Sequence, residues 1–137
     1  MKTLNKLGLL CGLIGIFAFA APVSAGDQFS DEWKIGVSGS AVTAGSISFT
    51  LTFEPGSDGM ARDPITIDTP IAANTSVEDI ISAISDAFST ALGEDDFDVE
   101  ISWGEHVEVE AEGNTPEFAL AITRNTLQGV AFKIIDD

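Results

Sequence analysis

The stretch TSVEDIISAISDAFSTAL, residues 75–92, decides the fold class. Val77, Ile80, Ile81, Ile84, Phe88 and Leu92 recur at three- and four-residue intervals, with Ala83, Ala87 and Ala91 beside them. That spacing puts one apolar stripe on a helix. Thr75 followed by Glu78 has the spacing of a capping box, and Ser76 is an equally good N-cap. Glu78 and Asp79 suit the positive end of the helix dipole, and Gly93 stops the helix at the other end. The pattern predicts one amphipathic helix of about four to five turns.

On both sides of the helix the period is two. SISFTLTF, residues 46–53, sets Ile47, Phe49, Leu51 and Phe53 on one face and Ser46, Ser48, Thr50 and Thr52 on the other. Such alternation argues a half-buried strand. Shorter alternations run through Trp33, Ile35 and Val37, and through Ile65 and Ile67. Pro70 is expected to end the latter, because proline cannot donate into a ladder. Phe97, Val99, Ile101 and Trp103 alternate with polar residues, as do Val107, Val109 and Ala111; Gly104 between them makes a hairpin. Phe118, Leu120 and Ile122 form another strand, and Val130, Phe132 and Ile134 the last. The order β-β-β-α-β-β-β-β has mostly local connections, which favour antiparallel pairing. The class is therefore α+β: a mostly antiparallel sheet, or sheets, of six to seven strands, with one amphipathic helix packed on the sheet as a two-layer sandwich.

SISFTLTF, PITIDTP (residues 64–70), TSVEDIISAISDAF (residues 75–88) and DFDVEISWGEHVEVEAEG (residues 96–113) follow one another in a recognisable order. The piece from Ser46 to Ile122 resembles the β-hairpin, helix, β-hairpin modules of bacterial flagellin and hook-associated proteins, phage tails and secreted surface proteins. The likeness lies in the order of elements and in residue classes. Ala83, Ile84 and Ser85 stand where such modules carry Ala-Ile-Asn, so the Asn is missing. The resemblance brings no catalytic residues. It implies a structural or interaction role in an extracellular assembly.

Residues 1–25 have the layout of a secretory signal peptide. Lys2 and Lys6 precede an apolar run over residues 7–21, and Pro22, Val23, Ser24 and Ala25 end it with small residues. Cleavage after Ala25 leaves residues 26–137: a polar, flexible leader over 26–32 and a single domain over 33–137. The run is short for a retained span, so no stable membrane insertion is expected after cleavage. Cys11 is the only cysteine and lies inside this segment. Leu10 precedes it where a lipoprotein needs a small residue. The processed chain is then secreted or periplasmic, and holds together without disulfides.

All 22 carboxylates lie beyond Ala25, opposed only by Lys34, Arg62, Arg124 and Lys133, which gives a net charge of −18. Such a surface repels nucleic acid and anionic lipid. It favours solubility and attracts cations.

Little catalytic chemistry is legible. His106 is the only histidine, expected in an exposed turn with Gly104 and Glu105, and no serine has a nucleophile-elbow context. Cysteine pairs, His-x-x-x-His spacings and EF-hand loops are absent from the sequence. The acidic hairpin is the one cation candidate. Placing its apolar residues on a common face pairs Trp103 with Val107, Ile101 with Val109 and Val99 with Ala111. The outer face then carries Asp98, Glu100, Glu108, Glu110 and Glu112, with Glu94, Asp95 and Asp96 close by in sequence. Those carboxylates are the candidate ligands for Ca²⁺; no other cofactor is expected. The same face also reads as a solvated surface or as a dock for a basic partner. Trp33 and Trp103 pack in a core or, if exposed, anchor a sugar or a partner.

Three readings follow. The first is a non-catalytic structural or interaction module of a bacterial surface assembly, joined to a protein partner or to itself through an open sheet edge, with the leader and the last strand as the reaching segments. The second is a binding protein for a divalent cation or small ligand, with a pocket lined by Phe88, Trp103 and Phe118. The third is a small hydrolase built on His106.

Overall fold

A computed structural model describes residues 28–136. The expected signal peptide, Cys11 and the start of the leader lie outside the described residues. The elements are β1 (Glu32–Gly39), β2 (Gly45–Phe53), β3 (Ile65–Ile71), α1 (Val77–Ala91), β4 (Phe97–Ser102), β5 (His106–Ala111), β6 (Phe118–Asn125) and β7 (Val130–Asp136). The fold is α+β, with all seven strands antiparallel. They divide into two sheets, a four-stranded one ordered β4-β5-β1-β7 and a three-stranded one ordered β3-β2-β6.

The helix forms as its spacing dictates. Ser76 caps it in an extended conformation, and its Oγ accepts the N–H of Asp79. Thr75 is not the cap, because its hydroxyl donates to the carbonyl of Ala72 at 2.6 Å. Ile80, Ile81, Ile84 and Phe88 are buried and the opposite face is wet. The helix touches β3 in one sheet and β1, β4 and β5 in the other.

Aromatic rings tie the sheets together. Phe97 of β4 lies edge-on to Phe118 of β6 at 5.6 Å and tilted against Phe53 of β2 at 6.1 Å. Phe49 of β2 meets Phe88 of the helix at 5.2 Å and Phe132 of β7 at 6.4 Å, in edge-to-face contacts. Such pairs add to the area they bury. Trp33 is fully buried among these groups, and its Nε1 donates to the carbonyl of Phe118 at 2.7 Å. The hydrogen bond lets the indole sit in the core without a stranded donor.

The chain changes sheets at one corner, where residues 39–42 run against residues 128–129. Ser40 N–H bonds Gly129 carbonyl at 3.1 Å and Val42 N–H bonds Gln128 carbonyl at 2.9 Å. Gly39 and Gly129 both have φ of 86°. A Cβ on Gly39 would lie 2.2 Å from the Gly129 carbonyl oxygen, and one on Gly129 would lie 2.5 Å from that of Ser40. Only glycine fits either place.

Two sequence expectations change. Pro70 does not end its strand: it lies within β3, opposite Ser46. β3 is an edge strand, so proline's missing donor leaves no ladder bond unmade. The leader is not free over its last residues. Ser30 exchanges backbone hydrogen bonds with Phe118 at 3.0 and 2.9 Å, Glu32 opens β1, and Gln28 donates to Asp136 at 2.5 Å. Among the described residues, no helix is long and apolar enough to cross a membrane.

Candidate functional site

The β4–β5 hairpin carries most of the residues singled out by sequence, and its register differs from the expected one. Ile101 pairs with Val107, Val99 with Val109 and Phe97 with Ala111. The slip is two residues. It keeps every side chain on its expected face, so the hydrophobic pattern could not detect it. The turn decides instead. Trp103 and Gly104 have φ of 58° and 68°, and Glu105 N–H closes the turn on the Ser102 carbonyl at 3.1 Å. Two successive left-handed residues start the turn, and Glu105 adds a third loop residue, so Ser102 pairs with His106.

That turn puts Trp103 at the tip, 89% exposed, rather than opposite Val107. A tryptophan in the left-handed region costs on the order of 1 kcal/mol relative to glycine. The two tryptophans therefore part company: Trp33 is core and offers no surface, while Trp103 is the largest apolar group left in water among the described residues. The pocket expected between Phe88, Trp103 and Phe118 does not form, because both phenylalanines are fully buried.

His106 is half-buried rather than free in the turn. It opens β5, opposite Ser102 on one side and Gly36 on the other, with its ring over the space a Gly36 side chain would fill.

The acidic residues form rows across the sheet. Asp98, Glu110 and Glu32 are cross-strand neighbours, as are Glu100, Glu108 and Lys34. Glu112, placed by sequence on the outer face of the hairpin, lies beyond β5, where its N–H bonds the Asp96 carbonyl at 2.8 Å, and Asp98 stands opposite Glu110 instead. Burial, and then the carboxylates of Glu112, Asp31, Asp98 and Glu100, push the Glu110 carboxyl above its ordinary range. No group of three or more His, Cys, Asp or Glu side chains among the described residues converges in a way that would hold a metal ion. A strand face presents its carboxylates side by side; a calcium site needs them around a point.

The site that sequence reasoning missed lies beside the tip of this hairpin. β1 pairs with β5 only as far as Gly36, whereas its pairing with β7 continues to Gly39. Beyond the gap, Ala41 exchanges hydrogen bonds with Asn74 and Thr75 at 2.8 and 3.0 Å. Val37, Ser38 and Gly39 thus have a strand on one side only. A cavity of about 530 Å³ opens at that place. Val77 and Ile81 of the helix line it with Val37 and Phe132, and Gly104, Glu105, His106 and Lys133 form its polar rim. The sequence signal was the Trp-Gly pair: a turn centred there shortens β5 and uncovers β1.

No protein-family model, curated protein or solved structure matches this chain.

Proposed function

We propose that this chain is an exported, non-catalytic interaction module that joins neighbouring copies by strand pairing along β7. The observation that carries the reading is the edge of β7. Among the described residues it pairs with β1 alone. Its sequence VAFKIID holds one lysine among apolar residues before the terminal Asp136. The other edges are guarded, as exposed strands usually are. β3 contains Pro70 and Asp68, β4 carries Asp98 and Glu100, and β6 is met at its start by Ser30. An open strand presents unpaired backbone groups to a partner strand.

Antiparallel pairing centred on Phe132 sets Val130 of one copy against Ile134 of the other, and Ala131 against Lys133. It keeps each face of the extended sheet continuous. In this reading the helix forms one layer over the apolar sheet faces, and the outer carboxylates keep the module dispersed until it assembles. The signal-like residues 1–25 and the resemblance in element order point the same way. The contact is small, so the assembly is weak and concentration-dependent.

Sedimentation velocity on the chain from Gly26 onward tests it. Residues 28–136 hold 20 acidic side chains against four basic ones, so copies repel, and added salt screens that repulsion. Dimers or longer species should grow between about 20 and 500 mM NaCl. Ile135→Glu, a charge placed on the open edge, should return the protein to monomer. A wild-type monomer at millimolar concentration in high salt would sink the proposal.

A further inference from the structure

The gap beside the β4–β5 hairpin has three properties that belong together. The backbone of Val37, Ser38 and Gly39 lacks a strand neighbour on the side facing the gap. Behind it, Val77, Ile81 and Phe132 make an apolar recess large enough for a branched side chain. The gap opens on an acidic surface. Glu105 lines it at the hairpin tip, and Glu78, next in sequence to the lining residue Val77, is exposed in the first turn of the helix. Lys133 and His106 are the basic groups on its rim.

A sugar site would need several polar side chains aimed at hydroxyls, and this recess is floored with aliphatic and aromatic carbon. A row of backbone groups at strand spacing matches another extended chain. We infer that the gap binds a short extended peptide segment of a protein partner, which docks along residues 37–39 in line with β5. Its central apolar side chain fills the recess between Val77, Ile81 and Phe132. Its flanking residues are basic, complementing Glu105 in the gap and the strongly acidic surface around it.

Trp103 gains a purpose from this placement. It stands exposed at the tip, next in sequence to Gly104, which lines the gap. In this placement a lysine or arginine emerging from the gap crosses its ring. Tryptophan is the best of the aromatic faces for such a cation. Holding it in a left-handed conformation points to a demand other than packing, since strain of this kind clusters at ligand sites.

The inference rests on reading the chain as an interaction module, but not on β7 pairing, and the two separate experimentally. The probe is the synthetic hexapeptide acetyl-Lys-Val-Lys-Leu-Lys-Val-amide, titrated by calorimetry and by tryptophan emission. Trp33 is buried, so a change in emission reports Trp103. Saturable binding is expected, weakening as NaCl rises, which is opposite to the salt response of β7 pairing. Val77→Trp, which fills the recess, should weaken it by about tenfold or more. The pair Glu78→Lys with Glu105→Lys, both on exposed residues, should weaken it similarly and favour acetyl-Glu-Val-Glu-Leu-Glu-Val-amide instead. Trp103→Ala should weaken it about threefold by calorimetry. Ile135→Glu should leave it unchanged. Absence of binding at millimolar peptide, equal binding of the acidic peptide to the wild type, or binding indifferent to all the gap variants would overturn the inference. Peptide binding by a protein that never self-associates would instead dismiss β7 pairing and leave the gap site standing.

Discussion

Left-handed backbone occurs both at the corner where the chain changes sheets and at the tip of the β4–β5 hairpin, and the surroundings could hardly differ more. At the corner, Gly39 and Gly129 are pressed against the opposite main chain, with no room for a single added carbon. At the tip, a Cβ on Gly104 would meet nothing within 4 Å, and its neighbour in the same conformation is a tryptophan in water. In the first place packing demands the conformation and the sequence supplies the one residue that fits. In the second, packing demands nothing, and the sequence supplies a residue poorly suited to the conformation. Strain that packing does not explain is the better guide to function.

Substitution sharpens the contrast. Gly39→Ala and Gly129→Ala should have the largest effect, because each meets backbone at under 3 Å and must move a corner shared by both sheets. A loss of about 3 kcal/mol or more is expected in denaturant unfolding. Should either variant fold with undiminished stability, the corner is not the tight junction described. Trp33→Phe comes next. It keeps most of the buried area but removes the indole donor to Phe118, for a loss of about 1–3 kcal/mol.

At the tip the sign reverses. Trp103→Asn places Asn-Gly at the two left-handed positions of the hairpin loop and should stabilise the fold by about 1 kcal/mol. A destabilised Trp103→Asn variant would mean that the exposed indole supports the fold after all. Glu110→Gln is the smallest effect. The raised pKa means that ionising Glu110 is unfavourable in the folded state. The wild type therefore loses stability as pH rises through that raised pKa, and the amide does not. At neutral pH the variant should melt about 1–3 °C higher. Below the ordinary carboxylate value of 4.5 the advantage should vanish, and salt should shrink it throughout.

These places also mark where sequence was legible. The helix is readable to its cap because its signals are local: Ser76 bonds Asp79 within one turn. Strand membership is equally local, and Ile47, Phe49, Leu51 and Phe53 are all buried, as their alternation requires. What could not be read depends on distant partners. The partition into two sheets turns on β1 pairing with β5 and β7 rather than with β2. Pro70 is tolerable only because nothing lies beyond β3 in its sheet. The hairpin slip preserves every face, so only the backbone preference of the turn could reveal it. For Trp103 the apolar alternation leaves core and exposed anchor both open, and only the turn puts it in water. The gap beside β1 is invisible in any one segment, since it is made by a hairpin that ends three residues short of its neighbour.

The pairing of β1 with β7 carries a consequence for the order of folding. Trp33 lies opposite Asp136 and Gly39 opposite Val130, so the earliest described strand waits for the latest one, about a hundred residues on. Ser30, which bridges to Phe118, waits nearly as long. Pairings this remote form slowly and only when both ends are present. For a chain made amino end first, the four-stranded sheet has no complete precursor until β7 emerges. The architecture thus postpones its own closure: this sheet stays unfinished until its last strand arrives.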